Sequence, residues 1–447
     1  MNSDEIAKLD LKHTWHPCSQ MKDYEEFQPI AVKSASGPYL YTHDGQRIID
    51  AISSWWCKSL GHGHPQIKAA VSGQMDKFEH IIMANTCNET IAELSAELAK
   101  IAPGLDKVFY ADNGSTAVEI AIKMCLQYHQ QTGNTRRQNF VSLENGYHGE
   151  TILTLAAGDC ELYSKPYIPL MPDIPKLKPM AYVNGENDPG WKKFSEAAWA
   201  KIEAHLNSLS DTLAGIIFEP IVQGSGGMKI YSPDLLKRLR RWADSHGVML
   251  IADEIMTGFG RTGKMLACEH AGITPDFICL SKGLTAGWGP MSVVLCSSET
   301  YQAFYDDYFS GKGFLHSNTF TGYALAAAAA LETINIYKTE KIVENVAERS
   351  SGLLGKLQKI ADKIGALRNV RGIGFIAAAD IVSPSSGKPY PREERMGYQV
   401  YREAVKQGAL LRPLGDTIYF FPPLNTPESV LNELAEIAEA TLERCLK

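Results

Sequence analysis

Four apolar runs in this chain are each followed by a polar cluster able to do chemistry. Asp112-Asn113-Gly114-Ser115-Thr116 follows VFYA (108–111), and Asn145-Gly146-Tyr147-His148-Gly149 comes just after FVSL (140–143). Asp253-Glu254 follows VMLIA (248–252), and Ser281-Lys282-Gly283 follows FICL (277–280). In an open α/β sheet, functional groups collect just past the carboxyl ends of strands. A Gly-Ser-Thr helix start offers free backbone N–H groups, hydroxyls and the positive end of a dipole, which suits a phosphate. Read alone, Gly114 and Ser115 fit a plain N-cap better. Tyr147, on a loop above the sheet, is placed to stack on a flat ring, although a loop Tyr-His is also ordinary surface.

Asp253 and Lys282 carry more weight together than apart. A strand-end carboxylate is often structural, and a strand-end lysine can snorkel to solvent. A buried lysine is nevertheless costly, and desolvation lowers its pKa toward the neutral amine that forms imines. A carboxylate one strand earlier can hold a protonated ring nitrogen. That combination is the one pyridoxal phosphate (PLP) requires: an imine lysine, and an acid that keeps the ring an electron sink.

The elements that must position these groups are legible as a rhythm. Short apolar runs at 108–111, 140–143, 215–218, 248–252, 277–280 and 292–296 alternate with helical stretches. The spacing predicts a mainly parallel sheet covered by helices on both faces. After the first run, Val118, Ala121, Ile122 and Cys125 share one helix face. Upstream, residues 38–53 read as a hairpin turning at Asp44-Gly45. Residues 169–190 and 311–318 read as loops, and an alanine-rich helical segment leads from 321 toward 365. Beyond it come strand-like GIGFIAA (372–378), a polar loop 383–392, a helix 396–407, strand-like ALLRP and TIYFF, and a final helix from 427. The expected division is a large α/β domain over 66–330 and a smaller α+β domain over 331–447, to which the N-terminal segment 1–65 contributes.

Composition limits the alternatives. The chain has 447 residues, 45% hydrophobic and 21% charged, with a net charge of -7. This is globular composition without the basic footprint of a nucleic-acid binder. No apolar run approaches membrane-span length. The polar N-terminus has no apolar signal core, so the expectation is a cytoplasmic protein. Nine cysteines, with no CxxC pair, argue against a disulfide framework or a zinc cage. Gly258-Phe259-Gly260-Arg261-Thr262-Gly263 fits GxGxxG, and with Lys264 it begins a P-loop. Both readings fail on context: the glycines lie several residues past their strand, and Met265 stands where Ser or Thr should bind magnesium. His62-Gly63-His64 reads as a turn rather than a metal site.

Taken together, these residues resemble the fold-type I, class III (omega) aminotransferases. The stretch IADEIMTGFGRTGKMLACEHAGITPDFICLSKGLTAG (251–287) is similar to that family's signature from ring-nitrogen Asp to imine Lys. DNGSTAVEIAIKM (112–124), NGYHGET (145–151) and EPIVQGSGGM (219–228) extend the similarity over nearly the whole chain. WHPCSQM (15–21), SSWW (53–56) and RPLGDTIYFFPPL (412–424) resemble the branch serving biotin synthesis, whose acceptor is the nine-carbon 7-keto-8-aminopelargonate. The resemblance implies PLP as cofactor, transamination, and a homodimer with shared active sites. Lys282 would be the imine lysine and proton shuttle, Asp253 the ring-nitrogen partner, and Tyr147 the stacking residue facing substrate. Gly114 and Ser115 would hold the phosphate. Ser317, Asn318 and Thr319 match the loop that reaches phosphate and substrate across the dimer interface. Trp55 would line the substrate slot, and Arg412 would take a substrate carboxylate, with Tyr419 nearby. Adjacent Trp55 and Trp56 in a strand would point to opposite faces, leaving at most one for a core.

Two positions depart from the family pattern. Many members have Tyr where this chain has Cys18, a substrate-recognition position, and some have Pro where it has Asn318. Most members of the branch take the amino group from S-adenosylmethionine and some from lysine. QMKDYEE (20–26) and KPYPREERMGYQV (388–400) resemble the lysine-using members, so the donor stays open. The rival readings are a class III enzyme acting on a diamine or ω-amino acid, a PLP aminomutase, a non-catalytic PLP-binding regulator and a nicotinamide dehydrogenase.

Overall fold

The computed structural model describes residues 1–446. At its centre is a seven-stranded sheet in the order Lys107–Ala111, Ser292–Cys296, Phe277–Leu280, Met249–Asp253, Leu213–Phe218, Asn139–Leu143, Lys176–Leu177. Ser292–Cys296 runs antiparallel to both neighbours, and the remaining pairs are parallel. The expected mainly parallel α/β sheet is the observed one.

Side-chain alternation explains why both faces are covered. Along Met249–Asp253, Met249 and Ile251 enter one buried cluster while Leu250 and Ala252 enter another. Phe277 and Cys279 join the first, and Ile278 and Leu280 the second. A strand apolar at every position needs a helix layer on each side. Helix Gly114–Gln131 covers one face with Ala117, Val118, Ala121 and Cys125. Helix Pro233–His246, with Leu235, Leu239 and Trp242, packs into the other.

Several expected elements differ in detail. The 321–365 segment is two helices, Ala324–Thr339 and Ile342–Ile364, divided by Lys341 in the left-handed region (φ 52°). The expected boundary between 330 and 331 falls inside the first of them, which packs on helices Pro65–Met75 and Glu89–Ile101. GIGFIAA is a hairpin tip, with Leu367–Ile373 turning back into Ile376–Ile381. Gly374 sits in that turn at φ 56°, and a Cβ there would lie 2.2 Å from the Arg261 carbonyl oxygen. ALLRP forms no strand; only its Ala409 bridges Ile49. The 169–190 excursion includes Lys176–Leu177, which joins the edge of the central sheet.

The N-terminal hairpin forms as expected, with Tyr39–Thr42 antiparallel to Arg47–Ile49. It is tied to the C-terminal part of the chain, since Gln46 Nε2 donates to the Val405 carbonyl at 2.7 Å. Among the described residues, all nine cysteines are free, no group of side chains could hold a metal ion, and no helix is long and apolar enough to cross a membrane.

Candidate active site

The carboxyl ends of the central strands surround a cavity of about 500 Å³. Lys282 lines it, directly after Phe277–Leu280, with its backbone held left-handed at φ 44°. Strain of this kind, about 1–3 kcal/mol in a non-glycine residue, persists where the surroundings fix it. Among the described residues, Nζ makes no hydrogen bond or ion pair, and it lies 4.5 Å from the Trp56 ring centroid. Burial pushes the Lys282 pKa down, against the opposing charges of Asp253 and Glu219. The result is an amine biased toward its nucleophilic, neutral form.

Asp253, buried at the end of the neighbouring strand, lines the same cavity. Its Oδ2 lies 2.8 Å from His148 Nδ1, and its Oδ1 accepts from the Ile255 N–H. His148 is itself buried, and among the described residues its Nε2 has no hydrogen-bond partner. With Nδ1 protonated, the imidazole donates to the carboxylate and fixes its orientation.

At the opposite wall the helix starting at Gly114 presents its N-terminus. The Asn113 side chain caps it by accepting from the Thr116 N–H, so the N-cap reading holds for this turn. Gly114 and Ser115 still line the cavity. A Cβ on Gly114 would meet Ile255 Cδ1 at 2.9 Å, so any larger residue there would have to push the Ile255 side chain aside. Ser115 Oγ accepts from the Glu150 N–H at 3.2 Å, and Asp112 Oδ1 is buried without a hydrogen-bond partner among the described residues.

On the substrate side, SSWW is not a strand. Ser53, Ser54, Trp55 and Trp56 have φ values of 50°, 44°, 69° and 71°, a left-handed turn. Buried Asp50 holds it by accepting from Ser54 N at 2.9 Å and Ser54 Oγ at 2.7 Å, with His62 Nε2 2.8 Å from the same carboxylate. Ser53 Oγ donates to the Phe421 carbonyl. The turn sends Trp56 inward, where Nε1 donates to the buried Tyr419 hydroxyl at 3.1 Å. Trp55 stays 43% exposed at the rim, its ring 4.6 Å from the Arg412 guanidinium carbon. Among the described residues Arg412 has no carboxylate partner, and it donates to the Cys18 carbonyl at 3.1 Å. Cys18 lies outside this cavity, its Sγ 3.8 Å from Glu150 Oε1, and burial followed by the Glu150 charge raises its thiol pKa. Tyr147 lines the cavity and donates from its hydroxyl to Glu150 at 3.0 Å.

An imine-forming lysine, an oriented buried carboxylate, an orphaned Asp112 oxygen and a helix start therefore surround one space, a set that fits PLP. The chain matches the aminotransferase class-III family model over residues 20–442. It is a class III aminotransferase. It is 36% identical over 446 residues to the adenosylmethionine-8-amino-7-oxononanoate aminotransferase of Geobacter sulfurreducens, with 99% of this chain and 98% of that one covered. The enzyme of that name from Helicobacter pylori is 38% identical, with 98% of each chain covered. Among solved structures, the same-named enzyme of Methanocaldococcus jannaschii superposes with a TM-score of 0.92 at 31% identity, covering 99% of both chains. A PLP-bound amine transaminase from an uncultivated Pseudomonas species gives 0.89 at 30% identity, covering 97% of this chain and 99% of that one. The cofactor of this aminotransferase is pyridoxal phosphate.

Besides Cys18, three expected residues of the aminotransferase are placed elsewhere. Ser317, Asn318 and Thr319 do not line the cavity within their own chain. Their loop follows a segment packed on the middle of helix Gly114–Gln131, where His316 Nδ1 is 2.8 Å from Lys123 Nζ. Conversely, the cavity contains residues not singled out from sequence. His148 and Trp56 stood inside recognised motifs beside chosen neighbours. Glu219 follows Leu213–Phe218, so the strand-end rule applied to that fifth run would have found it. Its carboxylate accepts from the Tyr147 and Gly224 N–H groups. Burial, then the Asp253 charge, raises its pKa to about 8.

Proposed function

We propose that this aminotransferase converts 7-keto-8-aminopelargonate to 7,8-diaminopelargonate in biotin biosynthesis, as a cytoplasmic homodimer. Its amino donor is S-adenosylmethionine, with lysine as the alternative. The observation that carries this reading is Arg412, without a carboxylate partner among the described residues, at the rim of a cavity walled by Trp55 and Trp56. A planar two-pronged donor suits a carboxylate, and the tryptophans suit the aliphatic chain that separates it from the reacting keto group.

Gly114 and Ser115 would hold the cofactor phosphate, Tyr147 would stack on the ring, and Asp253 would hold the ring nitrogen protonated. PLP, when bound, supplies the sink that delocalises the electron pair left at a deprotonated amine carbon. Lys282 Nζ takes the proton from the donor's amine carbon and later returns one to the acceptor's former keto carbon. His148 keeps the Asp253 carboxylate oriented throughout. Trp55, Tyr419 and the Cys18 backbone shape the substrate side, with Arg412 fixing the carboxylate. Asn318 and Thr319 would reach the cofactor and Ser317 the substrate in the partner's site.

Purified enzyme given 7-keto-8-aminopelargonate with either donor should form 7,8-diaminopelargonate. Absence of product with both donors, while a diamine or ω-amino acid is turned over, would replace this reading with that of a general ω-aminotransferase. Lys282→Ala should lose both turnover and the visible band of the lysine-bound cofactor.

A further inference from the structure

Glu219 is a buried acid to which the reaction above assigns no part. It follows Phe218 as Asp253 follows Ala252, and Phe218 and Ala252 pair across neighbouring parallel strands. Both of its carboxyl oxygens are committed to backbone. Oε1 accepts from the Tyr147 N–H and Oε2 from the Gly224 N–H, each at 2.9 Å. Its own carbonyl accepts from the buried Tyr231 hydroxyl at 2.6 Å, so the residue is anchored at both ends. The two segments it joins both reach the reaction cavity. One carries Tyr147 and His148. The other carries Ser225, which also lines an adjoining cavity of about 710 Å³ bordered by segments 20–26 and 388–400.

Neither segment is relaxed. Asn145, Ile221 and Met228 are left-handed, at φ 62°, 67° and 52°. Such residues persist where their surroundings over-determine them. Asn145 Nδ2 donates to the Tyr182 hydroxyl at 2.6 Å, the hydroxyl donates on to Gln223 Oε1 at 2.8 Å, and Gln223 Nε2 donates to the Glu144 carbonyl at 2.8 Å. Arg371 donates to the Gly227 and Met228 carbonyls. Those bonds hold the segments at 144–145 and 227–228, whereas Glu219 holds them at 147 and 224. There is little slack at 224: a Cβ on Gly224 would meet Met256 Cε at 3.0 Å and Trp56 Cζ3 at 3.2 Å. We propose that Glu219 is a positioning residue for the cofactor: its carboxyl ties the Tyr147 backbone to the Gly224 turn and so fixes where the Tyr147 ring stands in the cavity. This rests on the stacking role proposed for Tyr147. The ring's outer end is held separately, by the hydroxyl on Glu150. Burial, then the Asp253 charge, favour the acid form of Glu219. An acid keeps both backbone bonds without setting a second anion beside Asp253. Glutamine is equally neutral, yet its amide nitrogen can accept neither N–H, so one of the two bonds is lost. Alanine loses both.

A double-mutant cycle separates positioning from general support of the fold. Its readout is the equilibrium binding of PLP to the full-length enzyme after the cofactor has been dialysed away. Glu219→Ala should weaken PLP binding by about tenfold and Glu219→Gln by about threefold, in line with two lost hydrogen bonds and one. In a Tyr147→Ala background, with no ring to place, the same substitutions should add almost nothing. The visible circular dichroism of the bound cofactor should fall in Glu219→Ala and be partly restored in Glu219→Gln. Without cofactor, the amides of 145–149 and 222–226 should exchange faster in both variants, while helix Ala324–Thr339 is unaffected. Glu219→Gln, which keeps the side-chain volume, covers the case in which Glu219→Ala folds poorly. Equal losses of affinity with and without the Tyr147 ring would overturn the proposal, as would unaltered dichroism or unaltered exchange in both segments. Failure of the stacking role looks different: Tyr147→Ala by itself would bind PLP as tightly as wild type, and the proposal would fall with it.

Discussion

At Asp253 the chemistry depends on a neighbour that makes no contact with the reacting carbon. His148 donates to the carboxylate across 2.8 Å in a buried setting. Removing it leaves the orientation of Asp253 resting on the Ile255 N–H alone. His148→Ala is expected to lower kcat by about ten- to a hundredfold, the equivalent of a charge-assisted hydrogen bond of about 1.5–3 kcal/mol. KM should move less, and the bound cofactor's absorption should titrate at a different pH. An unchanged spectral titration would assign His148 a purely structural role. Glu219 gives a stability prediction with a defined sign. Its folded pKa is about 8 against an ordinary 4.5. Between those values the unfolded chain has released a proton that the folded chain still holds, so the unfolded state binds fewer protons and stability falls as pH rises. Cofactor-free wild type should therefore lose melting temperature between pH 5 and 8, and Glu219→Gln should lose less over the same range. Parallel curves would show that Glu219 ionises normally. Both residues were within reach of sequence reasoning, because a carboxylate or imidazole after an apolar run marks a strand end. Which strand-end groups touch was not, because that depends on sheet order.

Among the elements, the left-handed turn at 53–56 departs most from what pattern alone suggests. Four consecutive positive-φ residues cost about 1–2 kcal/mol each for L-amino acids, and SSWW contains no glycine to relieve it. Asp50 supplies the compensation by satisfying Ser54 twice while His62 sits on the same carboxylate. Asp50→Asn is expected to destabilise the protein by about 1–3 kcal/mol and to raise the KM for the keto acid, since both tryptophans hang from this turn. His62→Ala should do the same more weakly, measured by thermal melts and steady-state kinetics on the acceptor. A loss of stability with an unaltered KM would mean the turn does not set the slot. Sequence periodicity located the parallel strands and most helices because their residues are buried in regular alternation. It failed at GIGFIAA, ALLRP and SSWW, where long-range pairing or side-chain capping decides the backbone.

For the whole molecule, the region around 317–319 is the least self-sufficient. Tyr308, Phe309 and Leu315 are 90%, 96% and 94% exposed, and Phe320 is half exposed. Apolar side chains this bare in one stretch mark a contact surface, in keeping with the proposed homodimer. Phe309→Asp should shift the protein from twice the chain mass toward the monomer in sedimentation and lower activity in parallel. Mixing inactive Thr319→Ala with inactive Lys282→Ala should restore turnover, because one site of each mixed dimer keeps both residues. No recovery in a demonstrably mixed dimer would remove Thr319 from the partner's site. The sequence by itself determined the sheet class, the strand-end pair Asp253 and Lys282, and the family, because these rest on local burial patterns and motif spacing. Only the tertiary structure decided that Trp56 lies beside the lysine and Trp55 on Arg412, that His148 holds Asp253, and that segments 20–26 and 388–400 share a cavity. Those are contacts between residues distant in the chain, fixed by how layers pack rather than by any local periodicity.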